Sequence, residues 1–470
     1  MVGRETLMTD SADFGFEDIK NVHFIGIGGI GMSGIARLLL KMGFAVSGSD
    51  LKESEITRTL KAEGARVFIG HKAGNAAGAG VVVISSAVKP DNPELKRAVK
   101  KGVKIIQRAR MLAKIADVKK TVTVSGSHGK TTTTSLLASA LEGAGADATV
   151  VVGGLFKNIA SNMKLGAGEY LVAEADESDG SFLYFSPLVA CVTNIDSDHL
   201  DFYKNMDNLK KAFARHMEKV PFYGAAVVCA DDPGVAEVIK NVRAPLITYG
   251  FKAGADWTAA NLAQGAQGVS YDAFFKGRRM GRMRLRSGGR HNALNSLAAL
   301  AAGYYLGFDF KGLARGLAAF NGVKRRMEKT GQCAGVTFLD DYGHHPTEIK
   351  ATLETVAAMN KGARLIALFQ PHRYSRTKIL RRDFPGAFVS AELVYITDIY
   401  AAGERPLPGV TSELLLKGIK KRGIKAEKFP GAMEIAKNLR SGDVLITVGA
   451  GDVWKLGEEV KLKLEMIKVG

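Results

Sequence analysis

Three times in this chain a short run of β-branched and apolar residues leads into a special loop. The runs are Val22-His23-Phe24-Ile25, Thr121-Val122-Thr123-Val124 and Val336-Thr337-Phe338-Leu339. Around them, Val- and Ile-rich strands alternate with helical stretches along the whole length. That alternation folds as parallel sheets covered by helices, so an α/β chain is expected. At 470 residues it is too long for one ordinary core, and length points to about three domains. The strand starts place boundaries near 118 and 325, the second beside Lys324-Arg325-Arg326. The expected division is a tail (1–20) followed by domains 21–118, 119–325 and 326–470.

Composition narrows the class. A hydrophobic fraction of 46% with 24% charged residues is that of a globular protein. No apolar run approaches the roughly 18 residues a membrane span needs, so no membrane partner is expected. The first 20 residues scatter Glu5, Asp10, Asp13 and Glu17 without an apolar block, which reads as a loose tail and not a signal peptide. Of the 3 cysteines, Cys191 and Cys229 sit in apolar strand-like runs and no CxxC pair exists. Buried free thiols in a reducing compartment follow, and a cytoplasmic location is expected.

The formal charge of +18 calls for an acidic partner, either nucleic acid or phosphate-rich small molecules. The densest basic stretch, residues 276–290, has an Arg282-Met283-Arg284-Leu285-Arg286 core alternating at period two. Met283 and Leu285 then face one way and the arginines the other, as in a half-buried strand with a solvated face. Without interleaved aromatics for base stacking, no nucleic-acid partner is expected.

Gly26-Ile27-Gly28-Gly29-Ile30-Gly31 follows the first strand, opens a helix over 32–42 and fits G-x-G-x-x-G. Its glycines allow close approach of a diphosphate, and the helix N-terminus supplies free N–H groups. Asp50 ends the next strand about twenty residues on, placed for a ribose hydroxyl. Val81-Val82-Val83-Ile84 delivers Ser85 and Ser86 to the strand end where ligands collect in open α/β sheets. A dinucleotide and another diphosphate nucleotide fit equally well, and a tight ligand-free turn has the same spacing.

Gly126-Ser127-His128-Gly129-Lys130-Thr131-Thr132 is G-x-x-G-K-T, two residues shorter than the Walker A pattern. The physics is the same: backbone N–H groups for phosphates, Lys130 as a point charge, Thr131 as a hydroxyl for Mg²⁺. Lys130 begins an apolar-periodic helix that stops at Gly143 and Gly145. Two further strands, ending in Glu174 and in Ile195, feed Asp176, Glu177 and Asp179, and Asp196, Asp198 and His199. Adjacent strands delivering oxygen ligands and one imidazole beside a phosphate loop suit a Mg²⁺ site. Most of these acids are expected to be solvated or to cap turns, leaving Glu174 and His199 as the ligands.

Together these motifs resemble the Mur ligase family, the ATP-dependent amino-acid ligases of bacterial cell-wall synthesis. Further pieces are Gly289-Arg290-His291-Asn292 with Asn295, Asp340-Asp341-Tyr342-Gly343-His344-His345-Pro346, Phe369-Gln370-Pro371-His372-Arg373-Tyr374-Ser375-Arg376-Thr377, and Gly449-Ala450-Gly451-Asp452. The series in this order covers nearly all of residues 20–455. The resemblance implies an N-terminal Rossmann-like domain for a UDP-sugar, a central P-loop ATPase-like domain and a C-terminal Rossmann-like domain for the amino acid. It implies ATP and Mg²⁺, with UDP-N-acetylmuramate and L-alanine as substrates, in a monomer or weak homodimer.

It also implies residue roles. Gly126, Ser127, His128, Gly129, Lys130, Thr131 and Thr132 would take the ATP phosphates, with Thr131, Glu174 and His199 on the metal. Asn292 and Asn295 would lie on the adenine side, Arg326 at the phosphates and Asp341 by the ribose. Gly26, Gly28, Gly29, Ile30, Gly31, Asp50, Ser85 and Ser86 would hold the UDP-sugar. Tyr342, His344, Arg373 and Arg376 would form the amino-acid pocket, where a guanidinium fork suits a carboxylate. Catalysis would rest on Lys130, Glu174 and His199, with His344 a candidate base for the amine. The pair His344-His345 does not read as a zinc pair, since adjacent residues seldom share one metal's geometry. Ser127 stands where the family often has Thr, Ser287-Gly288 where a proline is commoner, and Arg325 competes with Arg326 for the nucleotide. Two other readings remain: an NAD-dependent oxidoreductase built on the first loop, which leaves the second without a purpose, and a related recycling ligase that attaches a tripeptide.

Overall fold

The structure, a computed structural model, describes Phe16, residues 19–85 and residues 87–469. Ser86 and most of the expected N-terminal tail lie outside the described residues. The described residues form three sheets, of five, ten and six strands.

The first sheet holds β1 (Asn21–Ile25), β2 (Ala45–Asp50), β3 (Arg66–Ile69), β4 (Val81–Ile84) and β5 (Lys104–Gln107). All are parallel, in the order β3-β2-β1-β4-β5. Strand order reverses beside β1, so the loop after β1 opens at the crevice where such sheets bind ligands.

The second sheet holds β6 (Lys120–Ser125), β7 (Thr149–Phe156), β8 (Ser161–Lys164), β9 (Tyr170–Glu174), β10 (Val189–Val192), β11 (Ala225–Cys229), β12 (Leu246–Gly250), β13 (Trp257–Gly265), β14 (Gly268–Phe275) and β15 (Arg278–Leu285). The order is β15-β14-β13-β12-β11-β10-β6-β9-β7-β8, parallel except for pairings β13–β14, β14–β15 and β7–β8. The strands ending in Glu174 and leading to Ile195 are therefore not neighbours, as the sequence suggested. They flank β6, which brings both ends to the loop that β6 feeds.

The third sheet holds β16 (Glu328–Cys333), β17 (Val336–Asp341), β18 (Leu365–Phe369), β19 (Leu393–Ile396), β20 (Lys425–Lys428) and β21 (Val444–Val448), in the order β16-β17-β21-β18-β19-β20. Only β16 runs antiparallel to its neighbour.

Period-two alternation builds the core. Leu171 and Ala173 of β9 join an apolar cluster continuous with the first domain, while Val172 joins the cluster on the opposite face. The basic strand behaves as its spacing predicts: Met283 and Leu285 are buried while Arg282 and Arg284 are exposed. Cys191 and Cys229 are buried free thiols, and burial pushes them up to about 12 and about 11. No helix among the described residues is long and apolar enough to cross a membrane.

The helix after the phosphate loop, Lys130–Gly143, packs against helix Phe310–Ala318 with backbone on backbone. A Cβ added at Gly316 would collide with the carbonyl of Ser139, and one at Gly143 with the backbone of Gly316. Gly316→Ala gains about 1 kcal/mol of helix propensity. Overpacking costs about 1–3 kcal/mol, towards the upper end where the facing atom is backbone with no rotamer to yield. The expected result is a net loss of about 1–2 kcal/mol in urea unfolding; a stabilised variant would refute the close contact.

Candidate active site

The loop after β6 is shaped by two glycines. Gly126 (φ 133°) and Gly129 (φ 81°) occupy backbone conformations that L side chains rarely adopt. A Cβ on Gly126 would run into Thr193 Oγ1, and one on Gly129 would sit 2.9 Å from Asn295 Oδ1. The end of β10 pins the loop from below: Ser127 N donates to Asn194 O (3.1 Å) and His128 N to Asn194 Oδ1 (2.8 Å). Helix Lys130–Gly143 begins without a side-chain cap, leaving its N-terminus able to take an anion.

Lys130 Nζ donates to Gly126 O (2.8 Å) and to Glu177 Oε1 (2.7 Å). Burial works to lower its pKa, but Glu177 and Asp176 outweigh that, and the ammonium is held above its ordinary value. Thr131 Oγ1 donates to Glu174 Oε1 (3.1 Å), whose other oxygen accepts Gly153 N. His199 Nε2 lies 3.6 Å from Glu177 Oε1. Glu177 is fully buried, and its Oε2 has no hydrogen-bond partner. Asp176 and Asp179 do cap turns, at Ser178 N and Ser181 N, as expected of most acids here. Glu177 breaks that expectation: it is buried against Lys130, 47 residues away, and His199.

Between the second and third sheets lies a cavity of about 680 Å³, lined among others by Gly129, Asn292, Asn295, Arg326, Asp341 and Glu348. Asn292 Nδ2 donates to Gly288 O, and Asn295 Nδ2 to Asn292 Oδ1. Arg325 is engaged elsewhere, with Asp340 (2.9 Å) and the carbonyls of Gly449 and Gly451. Arg326 is the arginine that faces the cavity, 3.6 Å from Glu348 and beside the Tyr342 ring. Burial lifts Asp341 to about 6 although Arg326 pulls the other way, and its oxygens accept Met327 N, Gly343 N and Thr352 Oγ1.

Glu348 begins helix Pro346–Met359 as the acidic partner of a capping box, accepting His344 N and His345 N. Burial disfavours its charge, yet the imidazoles of His344 and His128 and the Arg326 guanidinium hold it well below the usual carboxylate range. His128 sits between Asp196 (2.9 Å) and Glu348 (3.7 Å). Burial alone would lower His128; the hydrogen bond to Asp196 and the nearby carboxylate of Glu348 reverse this and hold it up at about 9.

One recess is lined by Asp198, His199, Arg373 and Arg376, joining the expected metal ligand to the expected amino-acid residues. Arg376 Nη2 donates to Asp198 Oδ1 (3.1 Å), and both side chains are about 10% exposed. Arg373 has φ 69° and a buried Nε without a partner. His344 Nδ1 lies 3.2 Å from Tyr342 O and its ring stands edge-on to Tyr342, while burial pushes it down to about 4.

In the first domain, Gly26 (φ 83°) turns the chain out of β1, and Gly28 N donates to Asp50 Oδ2 (2.9 Å). A Cβ on Gly31 would lie 2.8 Å from the Arg108 guanidinium. Helix Ile30–Lys41 also starts without a side-chain cap, and Ile30 is exposed. Ser85 follows β4 at the same sheet edge. Behind it, buried Glu94 holds His23 (2.8 Å), Ser49 (2.7 Å) and Asn75 (3.0 Å). Glu177 is among the acids expected to be solvated or to cap turns, and Glu94 carries no local signal; Glu348 carries one, its spacing from His345 ahead of an apolar helix.

A parallel-sheet domain bearing a glycine–lysine phosphate loop, closed over by a second domain that supplies arginines and imidazoles, defines a nucleotide-binding transferase or ligase framework. The chain belongs to the Mur ligase family: models described as Mur ligase family, catalytic domain, Mur ligase middle domain and Mur ligase, glutamate ligase domain match residues 21–120, 124–303 and 325–451. It is 48% identical over 441 residues to the UDP-N-acetylmuramate–L-alanine ligase of Endomicrobium trichonymphae, covering 94% of this chain and 98% of that one. The protein of the same name from Geobacter sp. (strain M21) is 47% identical over 455 residues, covering 96% and 99%. Among solved structures, the UDP-N-acetylmuramate-alanine ligase of Thermotoga maritima superposes with a TM-score of 0.76 at 29% identity, over 96% of this chain and 99% of that one.

The His128 contacts generate a pH prediction. Because its folded pKa of about 9 exceeds the ordinary value of about 6.5, the fold binds this proton more tightly than the unfolded chain does. The contribution to stability is full below about pH 6.5 and is lost as pH rises through about 9. In metal-free buffer, the urea midpoint of wild type should exceed that of His128→Gln most at pH 6 and converge on it by about pH 10. A gap that does not change with pH would refute the assignment.

Proposed function

We infer that this chain joins L-alanine to the lactyl carboxylate of UDP-N-acetylmuramate at the expense of ATP, an amide-forming step in the synthesis of peptidoglycan precursors. Its long, near-complete likeness to proteins named for that reaction supports the reading. The observation that carries it is the continuous line Lys130–Glu177–His199–Asp198–Arg376, which runs from the phosphate loop to the amino-acid recess.

A carboxylate and an amine do not condense in water unaided. In this reading the lactyl carboxylate attacks the γ-phosphate of ATP, giving an acyl phosphate and ADP; the amine of alanine then attacks the acyl carbon and phosphate leaves. The protein's part is placement and charge neutralisation. Residues 126–132 cradle the phosphates, Lys130 adds a charge, Asn292 and Asn295 bound the adenine side, and Arg326 and Asp341 close the cavity. Gly26, Gly28, Gly29, Ile30, Gly31, Asp50 and Ser85 hold the UDP end of the other substrate. Tyr342, Arg373 and Arg376 take the amino acid, whose carboxylate replaces Asp198 as the partner of Arg376.

The donor set present is one of oxygens and an imidazole that suits Mg²⁺: Thr131 Oγ1 meets Glu174 at 3.1 Å, His199 lies 3.6 Å from Glu177, and the buried Oε2 of Glu177 has no partner, so these are the residues that would hold the ion. Held there, the ion would neutralise phosphate charge. His344 is neutral at pH 7 and leaves Nε2 open when Nδ1–H donates to Tyr342 O. With a value near 4 it takes a proton from an ammonium only uphill, so its fitting role is to accept a hydrogen bond from the free amine and aim the lone pair. The domain division at 118 and 325 and a cytoplasmic setting belong to the same proposal.

The direct assay follows phosphate release with Mg²⁺-ATP and UDP-N-acetylmuramate while L-alanine, glycine, serine or the stem tripeptide is added singly. Release that requires the UDP-sugar and favours alanine is expected; preference for the tripeptide moves the chain to the recycling activity, and release without the sugar sinks both. Lys130→Ala should lower kcat by about 10²–10³, the cost of removing one oxyanion-stabilising group. Arg376→Ala should raise the KM for alanine about 10–100-fold, as for a lost charged hydrogen bond. His344→Ala should slow amide formation while acyl-phosphate formation continues; unchanged turnover would remove His344 from the mechanism.

A further inference from the structure

Where the phosphate loop meets the third domain, two imidazoles and a carboxylate converge. Asp196 Oδ2 lies 2.9 Å from His128 Nε2 and 3.6 Å from His345 Nδ1. The candidate ligand atoms of all three residues fall within 4.8 Å of one another. Ligands at about 2.0–2.1 Å from a tetrahedral zinc ion stand about 3.3 Å apart, and the two measured separations straddle that spacing. The second imidazole comes from His128, 217 residues away in the chain, so the adjacency that disqualifies His344-His345 as a zinc pair is absent here.

Three details fit a ligand set better than a packing accident. Ser197 N donates to Asp196 Oδ1 (2.7 Å), which orients the carboxylate so that Oδ2 faces the imidazoles. Thr347 Oγ1 donates to the same Oδ2 (2.8 Å), a second contact that fixes its position. His345 is 3% exposed and its Nε2 has no hydrogen-bond partner, while its Nδ1, the nitrogen that faces Asp196, accepts only a long bond from Thr347 N (3.3 Å), which an ion would displace. Two nitrogens and one oxygen suit a borderline cation such as Zn²⁺, not Mg²⁺, which prefers oxygens throughout.

We propose that His128, Asp196 and His345 form a site for a zinc-like divalent cation, separate from the Glu174–His199 group and shared between the central and C-terminal domains. The ion takes the position of the proton that His128 otherwise carries, and that proton goes to solvent. Because Nδ1 of His345 caps helix Pro346–Met359, it exchanges the bond from Thr347 N for the ion, and the bound ion in turn ties the phosphate loop to the start of that helix.

The test uses full-length, chelator-treated protein without nucleotide, titrated with Co²⁺, which absorbs strongly in the visible when four-coordinate. One equivalent of tetrahedral Co²⁺ without thiolate charge-transfer bands is expected in wild type and in Glu174→Gln. His345→Asn should lose it, and this variant keeps a side-chain oxygen able to cap the helix. An unchanged thermal melt without metal separates loss of a ligand from loss of the fold. Wild type gives an independent readout: Zn²⁺ should shift the ring NMR signals of His128 and His345 together while those of His199 stay put. A band that survives His345→Asn, a band lost in Glu174→Gln, absence of any four-coordinate band, or shifts confined to His199 would each overturn the site.

Discussion

The carboxylate of Glu348 is the contact on which the two catalytic halves depend. One of its oxygens caps the first turn of helix Pro346–Met359, and the other faces His128 of the phosphate loop and Arg326 of the domain junction. A buried anion is costly unless it is fully bonded and matched by charge. Here the matching charges come from both sides of the cavity, so the anion is satisfied only with the two domains together. Removing it would leave an imidazolium and a guanidinium confronting each other and would free the helix start that carries His344 and His345.

Around that contact the three sheets share one principle. Each carries its candidate binding loop where a parallel strand ends: residues 26–31 after β1, residues 126–129 after β6, and residues 342–345 after β17. The central sheet adds a refinement, because β9 and β10 flank β6 and so place Glu174 and Asn194 on either side of one loop. Side chains contributed by separate strands then meet at one loop without lying near each other in sequence.

Much of this was legible in the chain. The strands opening each block, the helix from Lys130 to Gly143, and the inward Met283 and Leu285 all follow from periodicity and from glycine punctuation. What could not be read locally is which charge meets which. Glu177 looks like one more solvated loop acid until Lys130 and His199 close over it, and Asp198 becomes a buried partner only because Arg376, 178 residues on, folds against it. Likewise Arg325 and Arg326 are equivalent as letters. They separate only because the backbone turns at Arg325 (φ 60°) and sends its guanidinium back to Asp340 and the glycine carbonyls. Pairings of this kind depend on tertiary approach, and no propensity encodes them.

The glycine contact between helices Lys130–Gly143 and Phe310–Ala318 has a mechanical consequence. Where backbone rests on backbone there are no side-chain rotamers to relax, so the two helices move as one stiff unit. The phosphate loop stands at the head of that unit, braced below by Thr193 and Asn194. It acts as an anvil. Opposite it stands the third domain with Tyr342, His344, Arg373 and Arg376, joined to the central domain by side-chain contacts such as Thr347 with Asp196 and Arg376 with Asp198, which rotamer changes can release.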